Sequence, residues 1–480
     1  MVDVREAEGL GLACFATKSY ELGDTIINET PLIVIERPMA SQINGKVDAA
    51  GFLSKILSPL QTALEEMPEE KRKAALDLFC PMDNDLEVLE RKGIHFDEVD
   101  SVDYATVMKE AEKLCPTKEE ALTLVRLFCI WKYNATNYKG TTDCLSKNHA
   151  RMNHSCSPNA MHHSGIIRAI KKINPGDMIN ISYLDHNGLQ TSTHLRRKRL
   201  ELCYGFICQC ERCTNQIDLS RTMKCPNCRK SSVIWGLVLK ECVDNKNDVA
   251  ASCTQCNTSY THAEMPTTKE AALENQVKSL RRYSSFVDPS SDFFLKHLHM
   301  LHSSVLDELG GAHWTAAALM KLRYDYDPMV NLFTVIQWGE AYANWCKLAI
   351  PDSPWMYYLY IFAIGSACCD LNSPDHIGKI GLRYLKECYE NCKLLWGNED
   401  KDVRGIEAMI NYWSKKFDCK EVCTYINCER SAEVQQVTAS TTKGCKACGL
   451  ARYCDQKCQK GDWKDHKVVC KAARALKEFE

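Results

Sequence analysis

Residues 153 to 159 read Asn-His-Ser-Cys-Ser-Pro-Asn, and this stretch decides the predicted fold. Its cysteine, Cys156, is followed much later in the chain by Cys208, Cys210 and Cys213. Four thiolates form a closed tetrahedral zinc site, so one ion would hold a distant tail against the segment around residue 153. The spacing therefore predicts a metal site that joins two separate parts of the chain.

Length, charge and cysteine content predict several domains in a reducing compartment. The chain has 480 residues, with 60 basic and 62 acidic side chains and a net charge of -2, so no global field attracts nucleic acid. Its 28 cysteines follow an N-terminus, MVDVREAEGL, that lacks the apolar core of a signal peptide. We therefore expect a cytoplasmic or nuclear protein whose clustered cysteines bind metal. The longest uncharged apolar stretch, residues 355–369, is shorter than the ~20 residues of a membrane helix, so we expect a buried helix and no membrane partner.

The first 190 residues alternate between β-type and helical patterns. Residues 9–36 combine β-branched residues with glycine turns, which indicates short strands. Strand patterns return between residues 160 and 183, with the turn sequence Asn-Pro-Gly-Asp at 174–177 between them. Between these two regions, residues 48–132 change to helical spacing. The apolar face of that helical insertion carries Leu53, Ile56, Leu57, Leu60 and Leu64.

A long helical region follows the central cysteines. From about residue 268 to residue 415, amphipathic patterns are separated by glycine or proline breaks at 310–311, 351–354 and 372–374. We expect stacked helix pairs like those of tetratricopeptide repeats (TPR), with one ordinary helical bundle as the alternative. Residues 431–444 are small and polar, which indicates a surface loop.

Two Cys-x2-Cys pairs predict a second zinc site. Two hairpin turns of this kind each offer two sulfurs to one ion, as in a zinc ribbon. Coincidence is the alternative, but Pro226 and the polar residues around both pairs suit exposed turns better than a core. We expect a structural zinc ion held by Cys225, Cys228, Cys253 and Cys256.

A third array of ligands lies near the end of the sequence. It offers cysteines and one histidine in a number that suits two zinc ions, and so short a segment depends on metal to fold. The ligands are Cys423, Cys428, Cys445, Cys448, Cys454, Cys458, His466 and Cys470.

Residues 423–470 resemble a MYND zinc finger. The family's usual ending is matched by Tyr453-Cys454, Cys458-Gln459 and Trp463-Lys464-Asp465-His466. The resemblance implies docking of short proline-containing peptides, and a zinc-dependent folding element without a partner is the alternative. It also implies interleaved ligands, with Cys423, Cys428, Cys454 and Cys458 on one ion and Cys445, Cys448, His466 and Cys470 on the other.

Several weaker motifs follow one another in a specific order between residues 9 and 213. They are Gly9-Leu10-Gly11, Asn153-His154, Tyr183 at the end of a predicted strand, Tyr204-x-Phe206, and the cysteines at 156, 208, 210 and 213. Each is weak alone, since a lone glycine pair is more often a turn than a cofactor site. In this order they resemble the SET-domain lysine methyltransferases. Within that family the chain is most similar to the SET-and-MYND (SMYD) proteins, although its finger lies near the C-terminus instead of interrupting the SET domain.

The resemblance implies a site for S-adenosylmethionine and a protein substrate with a target lysine. Tyr183 would be the catalytic tyrosine, and Tyr204 and Phe206 would line the lysine channel. The three cysteine arrays together imply four zinc ions, of which only the one at Cys156 would shape the active site. The cofactor residues would be Gly9, Leu10, Gly11, Asn134, Asn153 and His154, together with Tyr204 and Phe206.

The predicted fold is therefore an α+β multidomain protein. A β-rich SET domain contains a helical insertion and is followed by a zinc-binding post-SET region, a zinc ribbon-like insertion, an α-helical TPR-like lobe and a C-terminal MYND zinc finger. The expected boundaries are 1–47 for the N-terminal SET strands, 48–132 for the helical insertion, 133–190 for the catalytic core, 191–215 for the post-SET region, 216–265 for the ribbon, 266–415 for the lobe and 416–475 for the finger.

Two other functions compete with methyl transfer. One is a catalytically inactive scaffold whose finger and helices recruit protein partners, for example in transcriptional repression. The other is nucleic-acid binding through the basic run at residues 195–199. For that run, a solvated helix face or a nuclear-import patch is the simpler explanation, so nucleic acid is not an expected partner.

Overall fold

The chain forms two compact units in the computed structural model. The first unit comprises Met1–Leu189 and Thr193–Asn215, and the second comprises Gln190–Ser192 and Gln216–Glu480. The residues that the structure describes are 2–37, 42–43, 46–47, 49–80, 102–138, 141–215, 217–235, 249–284, 291–326, 332–351, 353–370, 373, 375–417, 443–446, 452–453 and 455–477.

Short strands build several small sheets in the first unit. They are β1 Val2–Ala7, β2 Gly11–Ala16, β3 Thr25–Asn28, β4 Ile33–Glu36, β5 Gln42–Ile43, β6 Lys46–Val47, β7 Thr136–Tyr138, β8 Thr142–Leu145, β9 Asn153–His154, β10 Ala160–His163, β11 Ile166–Ala169 and β12 Asn180–Ile181. β1 and β2 form an antiparallel hairpin, as do β5 and β6, while β9 and β12 pair in parallel. The other strands form two three-stranded sheets, in the orders β10-β11-β3 and β4-β8-β7.

The predicted helical insertion is present and encloses an apolar core. It consists of α1 Ala49–Glu66, α2 Glu69–Leu76, α3 Tyr104–Glu112 and α4 Lys118–Asn134. The predicted apolar face is buried, with Leu53, Leu57 and Leu60 fully inaccessible, and truncating any of them to alanine would cost about 2–5 kcal/mol. Thr117 and Glu120 form a capping box with two reciprocal bonds of 3.2 Å, which fixes where α4 begins. Three short helices follow: α5 His186–Gln190, α6 Thr193–Tyr204 and α7 Glu211–Thr214.

A four-stranded antiparallel sheet carries the two Cys-x2-Cys pairs of the second unit. Its strands are β13 Met223–Lys224, β14 Ser231–Trp235, β15 Val249–Cys253 and β16 Ser259–Thr261. Each pair is followed by a residue with positive φ, Arg229 at 62° and Asn257 at 54°. In both turns this residue's N–H donates to the first cysteine's carbonyl at 2.9 Å. The two matching turns expected from the sequence are therefore confirmed.

Helices make up most of the rest of the second unit. They are α8 Thr267–Ser284, α9 Asp292–Glu308, α10 Trp314–Tyr326, α11 Leu332–Ala349, α12 Pro354–Cys368, α13 Asp375–Trp396, α14 Lys401–Phe417 and α15 Gln456–Lys477, with the short strands β17 Lys443–Gly444 and β18 Arg452–Tyr453. Consecutive helices pack together from α11 to α14. The choice between stacked helix pairs and an ordinary bundle stays a prediction.

The apolar stretch at 355–369 forms the buried helix that was expected. Ile361 and Ile364 of α12 are buried, and α12 approaches α13 closely at Gly365 and Gly381. A side chain at Gly381 would place its Cβ 2.8 Å from the Gly365 carbonyl oxygen, so glycine is required there. Among the described helices, none is long and apolar enough to cross a membrane.

A buried ionic network ties the entrance of β13 to α8 and α10. Arg221 donates to both carboxylate oxygens of Glu270, at 2.6 and 2.5 Å, and His313 Nε2 lies 3.2 Å from the same carboxylate. Glu270 and His313 are buried. Burial opposes ionisation of Glu270, but the hydrogen bonds from Arg221 and His313 outweigh it and lower the pKa to about 2. The carboxylate is therefore charged and paired at neutral pH.

We expect Glu270→Gln to lower the free energy of unfolding by about 3–5 kcal/mol at neutral pH, because it leaves the half-buried guanidinium of Arg221 without its counter-charge. The contribution of Glu270 is complete above its ordinary pKa of 4.5 and is lost as pH falls to about 2. Urea unfolding measures the effect. Lys269→Gln is the matched control, because it breaks the exposed pair with Glu308 and should cost about 1 kcal/mol or less. Equal losses in the two variants would contradict the prediction.

Some sequence-based expectations fall outside the described residues. They include the loop at 431–444 except for its last two residues, and the finger ligands Cys423, Cys428, Cys448 and Cys454. The seven domain boundaries given above stay predictions.

Candidate active site and zinc centres

The 153–159 motif is held against β12 in the first unit. β9 pairs in parallel with β12, with His154 opposite Ile181, and the Ser155 N–H donates to the Ile181 carbonyl at 2.8 Å. The Asn159 side chain hydrogen-bonds the backbone of residues 178 and 180, both at 2.8 Å. These bonds bring the motif close to Tyr183, which follows β12.

Tyr183 is held through its backbone and through its hydroxyl. The hydroxyl donates to the Met152 carbonyl oxygen at 2.6 Å, and the backbone N–H donates to Nδ1 of His154 at 2.9 Å. Burial raises the pKa of the Tyr183 phenol, and the neighbouring Tyr204 and Cys14 add to the rise. The hydroxyl therefore stays protonated at neutral pH and acts as a hydrogen-bond donor, not as a base.

Tyr204 and Phe206 pack around Tyr183. The ring centroid of Tyr204 lies 5.1 Å from that of Tyr183, and the Phe206 centroid lies 6.3 Å from Tyr183 and 6.0 Å from His154. Tyr133 adds a ring 6.2 Å from Tyr204. These separations are typical of favourable aromatic pairs. The structure thus brings the predicted channel residues and the predicted catalytic tyrosine together in one aromatic cluster.

Gly9-Leu10-Gly11 forms the turn of the β1–β2 hairpin. Gly9 and Gly11 have φ values of 71° and 70°, which glycine adopts without strain. A Cβ on either glycine would meet nothing within 4 Å, so the space beside the turn is open. The Asn153 side-chain amide donates to the Leu12 carbonyl at 3.4 Å and ties β2 to β9. An open backbone turn beside a carboxamide fits the polar amino-acid end of S-adenosylmethionine, which needs donors and acceptors at close range.

Asn134 lies at the end of α4 and serves the local backbone. Its side-chain NH2 donates to the Ile130 carbonyl at 2.7 Å and to the Phe79 carbonyl at 2.9 Å. Both bonds use the amide nitrogen for backbone carbonyls of the helical insertion. Its cofactor role stays a prediction.

Four cysteine sulfurs of the first unit converge as the spacing predicted. Cys156, Cys208, Cys210 and Cys213 place all four Sγ atoms within 4.8 Å of one another, and the Sγ atoms of Cys213 and Cys156 are 3.5 Å apart. A tetrahedral zinc ion with Zn–S bonds of ~2.3 Å separates its sulfurs by about 3.8 Å, so the cluster has the size of a zinc site. The Cys156 N–H donates to Cys210 Sγ at 3.3 Å, a bond that a thiolate accepts well. Four protein ligands leave no open position on the ion, so this site is structural.

The basic run at 195–199 lies on α6 and is partly directed into the zinc site. Arg196 is 1% exposed and donates to Cys213 Sγ at 3.8 Å, while Arg197 Nε donates to the Cys208 carbonyl at 3.0 Å. The interpretation as a solvated helix face is therefore wrong for Arg196. Four thiolates on one divalent ion leave a net negative charge, which a buried guanidinium balances. Sequence periodicity predicted the helix but not which side faces the cysteines.

The second unit contains a second tetrathiolate. The Sγ atoms of Cys225 and Cys256 are 3.7 Å apart, as are those of Cys228 and Cys253, and all four lie within 4.8 Å of one another. The N–H of the second cysteine in each pair donates to the sulfur of the first at 3.5 Å. This geometry also fits a closed, structural zinc site.

Part of the C-terminal ligand array is also brought together. Cys445, His466 and Cys470 are buried and place their ligand atoms within 4.8 Å of one another. These are three of the four ligands assigned to one ion by the family resemblance, and the fourth, Cys448, lies outside the described residues. Cys458, assigned to the other ion, is described and buried but is not part of this group.

A stacked histidine pair in the first unit, of which His149 is buried and His162 half-buried, was not predicted from the sequence. The rings of His149 and His162 stack with centroids 4.5 Å apart. His149 Nδ1 lies 3.1 Å from Thr136 Oγ1, and the Gly165 N–H donates to His162 Nε2 at 3.1 Å. Burial lowers the pKa of His162 to about 4 and that of His149 well below 6.5. The two residues fit no ligand spacing or helical face, so no sequence signal pairs them.

We expect this pair to make the free energy of unfolding fall as pH drops from about 6.5 to about 4, by up to about 3 kcal/mol for His162. The sign follows because, below pH 6.5, the two histidines of the unfolded chain bind protons that the neutral, stacked rings of the folded chain do not. Urea unfolding at several pH values measures the slope. His162→Gln should reduce the slope, and the comparison cancels any effect of acid on the zinc sites, which both proteins share. Identical slopes would rule out the assigned cause.

Two domain families match this chain. The SET domain model matches residues 11–184, and the MYND finger model matches residues 423–470. The chain carries a SET domain and a C-terminal MYND finger. The α+β multidomain fold predicted for this SET–MYND chain is thereby confirmed, as is the unusual place of its finger.

Several curated relatives of the SET–MYND chain are protein methyltransferases by name. It is 43% identical over 209 residues to histone-lysine N-methyltransferase ASHR1 of Arabidopsis thaliana, covering 42% of this chain and 40% of that one. It is 33% identical over 135 residues to histone-lysine N-methyltransferase SET5 of Saccharomyces cerevisiae, covering 27% and 23%. It is 41% identical over 76 residues to protein-lysine N-trimethyltransferase SMYD5 of Danio rerio, covering 14% and 17%. The chain thus spans less than half the length of each of these relatives.

One solved structure with low similarity is the crystal structure of the SET domain of LSMT bound to lysine and AdoHcy. The two chains share 12% identity with a TM-score of 0.27, over 86% of this chain and 87% of that one. A similarity this low shows neither the fold nor a ligand of this chain.

Proposed function

We propose that the SET–MYND chain transfers a methyl group from S-adenosylmethionine to a lysine side chain of a protein substrate. The observation that carries this proposal is the setting of Tyr183, whose backbone is held by His154, whose hydroxyl is held by Met152, and whose ring packs with Tyr204 and Phe206. The match of residues 11–184 to the SET domain and the names of the relatives support the same activity.

The residues of this site suit methyl transfer by positioning. S-adenosylmethionine, when bound, supplies a methyl group on a cationic sulfonium, and an uncharged amine attacks it in line. The protonated hydroxyl of Tyr183 and nearby backbone carbonyls offer weak contacts to such a polarised methyl. The rings of Tyr204 and Phe206 suit the aliphatic stem of a lysine and exclude water. Because a lysine has a solution pKa of ~10.4, an apolar surrounding helps by favouring its neutral form.

Calorimetric titration of the purified, zinc-complete chain with S-adenosylmethionine tests the proposal. We expect saturable binding, and we expect Asn153→Ala to weaken it by about tenfold, since that change removes the side-chain amide beside the cofactor turn. The same samples, incubated with labelled cofactor and a mixture of cellular proteins, should transfer label to lysine. Absence of binding with the zinc content confirmed would exclude the enzyme function.

We further propose that the finger docks short proline-containing peptides. Trp463 on α15 supports this, because it is 44% exposed and lies 6.0 Å, centroid to centroid, from the buried ring of His466. Exposed aromatic rings suit proline-rich segments. Fluorescence anisotropy with a labelled proline-rich peptide should show binding to the full chain that Trp463→Ala weakens while zinc content is unchanged. Peptide binding without cofactor binding would favour the inactive scaffold.

A further inference from the structure

His154 touches the candidate catalytic tyrosine with one ring nitrogen and a zinc ligand with the other. Nδ1 accepts a hydrogen bond of 2.9 Å from the Tyr183 N–H, and Nε2 lies 3.2 Å from Cys156 Sγ. The sequence assigned only the His154 backbone to the cofactor and gave its side chain no role. The two contacts make the imidazole a bridge between the metal site and the active site.

The direction of the first bond fixes the position of the ring proton. A backbone N–H only donates, so Nδ1 of His154 accepts with its lone pair, and a doubly protonated ring would have no acceptor to offer. The neutral ring then carries its proton on Nε2. That proton is 3.2 Å, measured from its nitrogen, from the Cys156 sulfur. A metal-bound thiolate is an acceptor, so the second contact is an N–H···S hydrogen bond.

The backbone around Tyr183 explains why the imidazole is needed. The parallel pairing of β9 with β12 ends at His154 and Ile181, and its last bond runs from the Ser155 N–H to the Ile181 carbonyl. The Tyr183 N–H lies beyond this ladder and uses the His154 side chain as its acceptor. The position of the Tyr183 backbone therefore depends on the orientation of one imidazole.

We propose that His154 is a positioning residue that couples the tetrathiolate zinc site to Tyr183. Cys156, as a ligand of a bound zinc ion, would have its sulfur held in place, and the sulfur would orient the imidazole through Nε2–H, while the imidazole holds the Tyr183 backbone through Nδ1. The coupling to catalysis rests on the proposed methyltransferase function. His154 is not itself a fifth ligand of the site, because the ligand atoms that converge within 4.8 Å there are the four cysteine sulfurs.

Two amide variants separate the two bonds of the ring. His154→Asn keeps an acceptor near the position of Nδ1 and loses the donor to Cys156, whereas His154→Gln keeps a donor near the position of Nε2 and loses the acceptor for Tyr183. Zinc release to a chromophoric chelator reports on the bond to Cys156, and the rate of methyl transfer by zinc-loaded protein reports on the bond to Tyr183. S-adenosylmethionine affinity is measured in parallel.

The expected results differ between the variants. His154→Asn should release one zinc equivalent about 10–100-fold more readily than wild type, as is usual when a bond to a metal ligand is lost. His154→Gln should retain zinc almost like wild type but transfer methyl groups about 10²-fold more slowly, because Tyr183 is displaced. Arg196→Lys is the matched control. It removes another hydrogen bond to the same cluster, at Cys213, so its zinc release shows what the loss of one bond to a ligand sulfur costs while the His154 ring is intact.

Equal behaviour of the Asn and Gln variants in both zinc release and methyl transfer would overturn the coupling, because it would mean that the ring only fills space. Wild-type zinc retention in His154→Asn would overturn it as well. Failure of the proposed function has a different signature, which is a wild-type chain that binds no cofactor and transfers no methyl group. In that case the zinc difference between the two variants still decides whether His154 supports the metal site.

Discussion

Tyr183→Phe should slow methyl transfer by about 10²-fold or more while leaving the affinity for S-adenosylmethionine close to that of wild type. The change removes one hydroxyl, whose bond of 2.6 Å to the Met152 carbonyl fixes the ring at the centre of the aromatic cluster. The ring itself remains and continues to pack with Tyr204 and Phe206. Single-turnover transfer of labelled methyl groups and cofactor calorimetry measure the two quantities separately.

Tyr204→Phe is the graded control for this prediction. This change also removes one hydroxyl of the aromatic cluster. The Tyr204 hydroxyl, however, donates a longer hydrogen bond, of 3.4 Å, to the Tyr183 carbonyl oxygen. We therefore expect a smaller loss of rate than in Tyr183→Phe. Wild-type activity in Tyr183→Phe would reject the role assigned to its hydroxyl. Burial raises the pKa of Tyr183, so its hydroxyl does not ionise near neutral pH. The pH dependence of the rate in that range should therefore be the same in both variants and in wild type.

Cys156→Ala should abolish methyl transfer and remove one equivalent of zinc. Cys156 is one of four converging sulfurs, and Phe206 lies two residues before another of them, Cys208. Without the ion, the segment that carries Phe206 loses its anchor to the 153–159 motif, and the buried Arg196 faces thiols that no longer balance its charge. Zinc analysis and the methyl-transfer assay measure the outcome.

Cys225→Ala is the matched control, since it also removes a ligand from a tetrathiolate. That site lies in the second unit, whereas Tyr183, Tyr204 and Phe206 belong to the first, so we expect loss of one zinc equivalent with cofactor affinity unchanged. Full activity in a Cys156→Ala protein that has lost its zinc would show that the ion does not support the active site.

The sequence was most informative where chemistry restricts spacing. A tetrahedral ion accepts few arrangements of thiolates, so the pairs at 225–228 and 253–256 predicted their shared site before any coordinates were known. Strong periodicity likewise predicted the buried face of α1, which carries Leu53 and Leu57. The order of the motifs between residues 9 and 213 identified the SET domain, although no motif would have done so alone.

Contacts between residues that are distant in sequence could not be predicted from such patterns. Nothing local distinguishes Arg196, which is buried on the zinc cluster, from its more exposed neighbours in the same basic run. Arg221 and Glu270 carry no pattern that pairs them, and the resemblance that assigned His154 to the cofactor did not predict the contacts of its ring with Cys156 and Tyr183. In each case the partner is chosen by tertiary packing, so only the coordinates reveal which polar groups are satisfied by which neighbours.

The spacing of the metal ligands also has a consequence for biosynthesis. The sulfurs of Cys156 and Cys213 are 57 residues apart in sequence, and the first compact unit ends at Asn215. In the second unit, the sulfurs of Cys225 and Cys256 are 31 residues apart. Every ligand of the first unit's ion is therefore translated before the first ligand of the next cluster. Domains that emerge first can fold first. The first unit can therefore bind its ion while the helices and the finger of the second unit are still being made, before the cysteines of the finger are available to compete for the metal.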